Sequence, residues 1–184
     1  ECQALVGLMQ RLDPHLFLDL HTTDGSFHGY HVTYAHSLSV NQDPAILGAS
    51  EALIDDLRKS LLTRHGVRTF HYGNFEQREG KQVWSSFDHT PRYASNYVAL
   101  RNRIPLLCEA YSYLSFQERV RVTHAFVLET LRAALRQKDQ ILAACAAADA
   151  RPKAGGLTLG FDTAIAGGVE QDVLVGTVTK AAVA

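Results

Sequence analysis

The sequence predicts one α/β domain with a mixed, mainly parallel sheet flanked by helices. Apolar runs of strand length alternate with longer segments whose apolar residues recur at helical spacing, which is typical of α/β layer folds. The 184 residues correspond to one domain or most of one. Hydrophobic residues make up 46% of the chain and charged residues 20%, so the composition can bury a core and argues against a disordered chain.

The first third of the chain predicts two helices and two strands. Helical spacing of apolar residues over Glu1–Arg11 ends at Asp13-Pro14, because proline disfavours helix in the residue before it. The apolar run Leu16–Leu20 predicts a strand buried on both faces, and Val32–Ala35 predicts a short second strand. A long helix follows from the N-cap pair Asp43-Pro44 to Arg64, and Gly66 ends it.

The remainder predicts three more strands and one long helix. The strands are Val67–Tyr72, Gln82–Phe87 and Ile104–Ser112, with a turn over Gly73–Gly80. Ser115 and Glu118 form a capping box that opens a helix reaching about Asp149. Residues 151–184 are interpreted as a linker followed by a β-rich tail, with the start of another domain as the alternative. Because the chain opens with Glu1 in a helical pattern, we interpret it as a piece of a longer protein.

Charge, hydropathy and cysteine usage exclude several function classes. A net charge of −1 argues against nucleic-acid binding, which needs a positive surface. An apolar run long enough to span a membrane is absent from the sequence. Cys2, Cys108 and Cys145 have no paired spacing and predict neither a disulfide framework nor a Cys-x-x-Cys metal site. Cys108 and Cys145 are expected to be small buried apolar residues.

Two residues with catalytic chemistry lie at the ends of predicted strands: His21 just after Leu16–Leu20, and Glu109 near the end of Ile104–Ser112. Ligands of open α/β sheets bind at the carboxyl ends of the strands, which directs attention to His21 and Glu109. Asp19 lies on the same strand face as His21, and a carboxylate beside a histidine often orients a metal ligand. A histidine that merely caps the loop by hydrogen bonding is the alternative.

Glu109 is the single charge in an apolar strand. A buried carboxylate without a partner has a raised pKa, which suits a general base near neutral pH. The alternative is a structural ion pair of Glu109 with Arg101 or Arg103. The nearby His28, His31 and His36 match no standard ligand spacing and are interpreted as exposed loop histidines.

Two segments together resemble the M14 family of zinc carboxypeptidases. They are Phe17-Leu-Asp-Leu-His-Thr-Thr-Asp-Gly-Ser-Phe-His-Gly-Tyr30 and Asn96-Tyr-Val-Ala-Leu-Arg-Asn-Arg-Ile-Pro-Leu-Leu-Cys-Glu-Ala-Tyr-Ser-Tyr113, the latter followed by Arg119-Val120. A related Asp-Leu-His motif makes the chain similar, more distantly, to the aspartoacylase and succinylglutamate desuccinylase branch. The resemblance covers roughly residues 1–150.

The resemblance implies a hydrolase with one catalytic zinc ion held by His, Glu and a second His. His21 then matches the last histidine ligand and Glu109 the general base and acid, while Asp19 orients His21. Tyr97 and Arg101 are weaker candidates for substrate contacts. The implied substrate is a peptide, or an N-acyl amino acid if the deacylase branch is the nearer relative.

One departure from the family pattern bears on activity. The first two zinc ligands of the family come from a His-x-x-Glu motif upstream of the last histidine, and this sequence contains no such motif. Residues 1–150 are therefore interpreted as the C-terminal part of the catalytic domain, inactive by itself. A non-catalytic family member or binding module is the remaining alternative.

Overall fold

The computed structural model of the chain describes residues 2–154 and 169–175. The elements of this part, in chain order, are α1 (Cys2–Leu12), β1 (Leu16–Thr22), β2 (Val32–Ala35), α2 (Pro44–His65), β3 (Thr69–His71), β4 (Asn74–Arg78), β5 (Lys81–Ser85), α3 (Ala94–Leu100), β6 (Ile104–Ala110), α4 (Phe116–Arg136) and α5 (Lys138–Ala154).

A mixed four-stranded sheet flanked by helices organises the domain, which confirms the predicted fold class. Its strand order is β1-β6-β2-β3. The β1–β6 and β2–β3 pairs are parallel, and β2 runs antiparallel to β6. The carboxyl ends of β1 and β6 therefore lie at the same edge of the sheet as the amino ends of β2 and β3.

The hydrophobic core lies between one face of this sheet and the helices α2, α4 and α5. Alternate residues of β6 supply Ile104, Leu106 and Cys108, each fully buried. Because side chains alternate across a strand, Leu107 and Glu109 lie on the opposite face. Cys108 and Cys145 are both free and buried, as expected from the sequence.

The predicted ends of α2 and the start of α4 are confirmed. Asp43 accepts a hydrogen bond from the Ala45 amide at 2.8 Å, and Gly66 ends α2 in the left-handed conformation with φ +64°. Ser115 and Glu118 form the reciprocal hydrogen bonds of a capping box at the start of α4. These caps satisfy backbone groups that the helix ends would otherwise leave unpaired.

Several sequence predictions need correction. The long C-terminal helix is two helices that meet at Gln137, whose side-chain amide donates to the Ala52 carbonyl at 3.4 Å. The segment interpreted as a turn contains β4, which pairs with β5 in an antiparallel hairpin. Helix α3 was not predicted. Strand β1 is only partly buried, because within the described residues it has a single neighbour, β6.

Most of the predicted β-rich tail lies outside the described residues. Its described part, residues 169–175, contains no strand. This segment is anchored by two hydrogen bonds of Leu174, whose carbonyl accepts from the Gly29 amide at 2.8 Å and whose amide donates to the Tyr30 hydroxyl at 3.1 Å. Across the described ranges, no helix has both the length and the apolar content needed to cross a bilayer.

Candidate functional site

His21 and Glu109 are direct neighbours at the carboxyl ends of β1 and β6. The register of this parallel pair places the two residues opposite each other. Neighbouring strands lie about 4.8 Å apart, and residues in register project from the same face of the sheet. The two residues singled out by the sequence are thus brought together, although 88 positions of chain separate them.

His21 is oriented by Asp19. The His21 Nε2 atom lies 2.8 Å from Asp19 Oδ1, and about half of the histidine side chain is exposed. A neutral imidazole that donates from Nε2 keeps its lone pair on Nδ1, which is the state a metal ligand requires. The contact between Asp19 and His21 that the sequence predicts is present, and the His21 side chain is exposed.

Glu109 is a buried residue whose carboxyl group has no hydrogen-bond or ion-pair partner among the described residues. The residue is 7% exposed, and within the described part of the chain no hydrogen bond or ion pair reaches its carboxyl group. Burial raises the pKa of Glu109 to about 7; the charge of His21 lowers this pKa, and the charges of Asp24 and Asp19 raise it. Glu109 therefore changes its protonation state near neutral pH.

The alternative of an ion pair between Glu109 and a nearby arginine is wrong. The Arg103 guanidinium binds Asp13 at 2.7 Å and Asp149 at 3.0 Å. Arg101 is exposed and precedes β6 at its amino end. Because a strand rises about 3.3 Å per residue, the length of β6 separates Arg101 from Glu109.

Tyr97 and Arg101, the weaker candidates for substrate contacts, lie in and just after α3. Tyr97 is half-buried in this helix, which packs against β6 and β1. Arg101 caps the carboxyl end of the helix. The structure does not bring Arg101 to the strand ends where His21 and Glu109 meet, so a role for it there is without structural support.

Two residues near Glu109 were not singled out by the sequence. Thr33 is the register partner of Glu109 on β2, and its hydroxyl is buried with no hydrogen-bond partner in the described structure. Burial raises the pKa of Tyr72 to about 12, and the charge of Glu109 adds to the increase. The Tyr72 phenol is therefore neutral and able to donate. Only the antiparallel pairing of β2 with β6 brings Thr33 beside Glu109, and the sequence does not specify that pairing.

The loop after β1 is tied to its surroundings by polar contacts. The Thr23 hydroxyl accepts from the Ser112 amide at 3.0 Å, which joins the ends of β1 and β6. The Ser26 hydroxyl accepts from the Phe75 amide at 2.7 Å, which fixes the β4–β5 hairpin against the same loop. These contacts hold the backbone around His21 and Glu109 in place.

His28 corrects the prediction of exposed loop histidines. It is 3% exposed and packs against Tyr111, with ring centroids 4.3 Å apart. Its Nδ1 atom accepts from the Tyr30 amide at 3.3 Å, and burial lowers the pKa of the imidazole. His28 is therefore a neutral structural residue, and His31 is half-buried with its Nδ1 accepting from the Arg68 amide.

The resemblance implies a zinc site at the carboxyl ends of β1 and β6, with His21 as one ligand. Asp19 contacts the Nε2 atom of His21, and Glu109 is the register neighbour of His21 on β6. Within residues 2–154 and 169–175, however, no group of three His, Cys, Asp or Glu residues could hold a metal ion.

Comparisons of the chain with family models, with curated proteins and with solved structures found no match.

Proposed function

We propose that this chain is part of a zinc-dependent hydrolase of the carboxypeptidase type that cleaves a peptide or amide bond. The observation that carries the proposal is the register of His21 with Glu109 at the carboxyl ends of two parallel strands. The His21 imidazole and the Glu109 carboxyl group, which has no partner among the described residues, therefore lie side by side at the edge where α/β sheets bind ligands. A loop-capping histidine would not explain the buried carboxyl group.

Glu109 is assigned the proton transfers of the reaction. In its ionised form the carboxylate accepts a proton from the attacking water, and in its protonated form it donates that proton to the leaving amine. A pKa of about 7 populates both forms near neutral pH. His21 is assigned as one zinc ligand, with Asp19 holding its ring. A zinc ion lowers the pKa of a bound water to about 7 and polarises the scissile carbonyl.

The complete gene product should hydrolyse C-terminal peptide bonds, and a chelator should abolish the activity. Because general acid–base catalysis contributes about 10²–10⁴-fold, Glu109→Gln should lower kcat by that factor. Glu51→Gln, which removes an exposed carboxylate from α2, is the matched control and should leave kcat unchanged.

Substrate choice separates the alternatives. Activity on N-acyl amino acids without activity on peptides would replace the peptidase proposal by an N-acyl amino acid deacylase with the same residues. A complete product that binds no zinc and hydrolyses neither substrate class would contradict both and support a binding module.

A further inference from the structure

An open cleft of about 350 Å³ lies beside α2, and its lining includes neither His21 nor Glu109. We refer to it as the basic cleft. It is lined by Tyr30, Asp55, Arg58, Lys59, Leu62, Arg68 and Thr69. Its volume is at the lower end of the range for sites that bind small molecules.

The fold brings these residues together from two directions. Asp55, Arg58 and Lys59 follow the i, i+3, i+4 spacing that places side chains on one face of α2. Gly66 then reverses the chain, and the start of β3 returns Arg68 and Thr69 to the same side. The cations therefore meet across a cleft instead of spreading along the helix.

The positive charge of the basic cleft is only partly compensated within the described structure. No side chain of Arg58, Lys59 or Arg68 forms an ion pair or hydrogen bond with a described residue, whereas Arg103 and Arg136 are both paired with aspartates. Three cations against the one carboxylate of Asp55 leave an excess of two positive charges. This excess is local, because the whole chain carries −1.

One of the cations is held in position. The Arg58 guanidinium carbon lies 5.6 Å from the centre of the Tyr34 ring, and Tyr34 is itself 1% exposed. A cation over a buried aromatic ring is attracted to its face, so Arg58 loses less freedom when it binds a ligand.

Two acidic residues of segment 169–175, which contacts the basic cleft, do not neutralise its positive charge. Segment 169–175 is hydrogen-bonded to Tyr30 through Leu174. It carries Glu170 and Asp172, both exposed, and neither pairs with a cation of the basic cleft in the described structure. The cleft thus keeps its charge with this segment in place.

We propose that the basic cleft binds a small dianionic group, as found in a phosphate monoester or a dicarboxylate. Two excess positive charges match a dianion, and guanidinium groups present paired donors to its oxygens. The Thr69 hydroxyl adds a donor, and the exposed side chain of Leu62 offers apolar contact to the remainder of the ligand. The site does not depend on the proposed hydrolase activity, since the two sites share no residue.

Backbone amide NMR titrations with inorganic phosphate and with malonate, at constant ionic strength and chelator present, test this proposal. We expect saturable shifts around Arg58 and Thr69. Arg58→Gln and Arg68→Gln should each weaken binding about tenfold, corresponding to the loss of one charge-assisted contact. Arg64→Gln removes an exposed charge from α2 outside the cleft and should leave the affinity unchanged. Arg68 is exposed, so its variant keeps the test valid if Arg58→Gln fails to fold.

The probes also identify the ligand class. Saturation by phosphate alone supports a phosphate monoester site, saturation by malonate alone supports a dicarboxylate site, and saturation by both supports a general dianion site. Shifts that do not saturate would overturn the proposal. Equal weakening by Arg64→Gln and Arg58→Gln would also overturn it, because the attraction would then be diffuse and not localised in the cleft.

Discussion

Glu109→Gln should make the folded chain more stable at about pH 8, by about 1–3 kcal/mol because solvent screens part of the charge, and change its stability little at about pH 4. The carboxyl group is buried without a partner among the described residues, and its pKa is raised from 4.5 to about 7. Glutamine has nearly the same shape and never ionises. The substitution therefore removes the cost of burying a charge while it keeps the packing.

The sign follows from proton linkage. Above about pH 4.5 the unfolded chain ionises Glu109 while the folded chain still holds its proton, so the free energy of unfolding falls as the pH rises. The loss is complete once the pH exceeds the folded pKa of about 7. Below the unfolded pKa both states are protonated, and the carboxylic acid and the amide are nearly equivalent.

Urea unfolding of the chain at both pH values, with a chelator present, measures this effect. Glu51→Gln, at an exposed position of α2, should show no such difference between the two pH values. An equal loss of stability at both pH values in Glu109→Gln would mean that the carboxyl group makes a structural hydrogen bond, and the assignment of Glu109 as a base would fail.

Arg103→Gln should lower the free energy of unfolding by about 2–4 kcal/mol. The Arg103 side chain is 10% exposed and donates to both carboxylates, which connects the residue after α1 with α5. Removing one partner of a buried pair typically costs about 3–5 kcal/mol. The expected loss is smaller because Asp13 and Asp149 are 66% and 42% exposed and regain hydration.

Arg136→Gln is the matched control for Arg103→Gln. Arg136 binds Asp56 through a similar two-pronged contact at 2.9 Å, but its side chain is 44% exposed. Ion pairs exposed to solvent contribute little to stability because water and salt screen them, so this variant should change the free energy of unfolding little. Urea unfolding compares the two variants directly. Equal losses in both would contradict the view that burial determines the contribution of Arg103.

The main elements could be predicted because local patterns specify them. Strands β1 and β6 are apolar runs, and α2 has its N-cap at Asp43 and its C-terminal glycine at Gly66. The capping box at Ser115 marks the start of α4. In each case the signal lies within a few residues of the element that it specifies.

The elements that were missed depend on tertiary contacts. Strand β4 has the polar sequence Asn74–Arg78 and is defined by its pairing with β5. Helix α3 is short, and the Asn96 side chain on it is hydrogen-bonded to Leu38 and Thr90 in two other segments. The break between α4 and α5 occurs without a glycine or proline.

The candidate site was predicted in its residues but not in its surroundings. The position of His21 and Glu109 at the carboxyl ends of apolar runs identifies both residues from the sequence. Their register, the unpaired hydroxyl of Thr33 and the pairing of Arg103 with Asp13 depend on the packing of distant segments. For that reason the sequence left open whether Glu109 was a base or half of a structural ion pair.

The titration of the Glu109 carboxyl carbon by NMR tests the central claim most directly. It measures the ionisation of the residue assigned as the base, in the chain itself and without any substrate. We predict a midpoint of about pH 7, and a higher midpoint in His21→Ala, because the charge of His21 lowers the pKa of Glu109. A midpoint near the ordinary value of 4.5, unchanged in His21→Ala, would contradict the account.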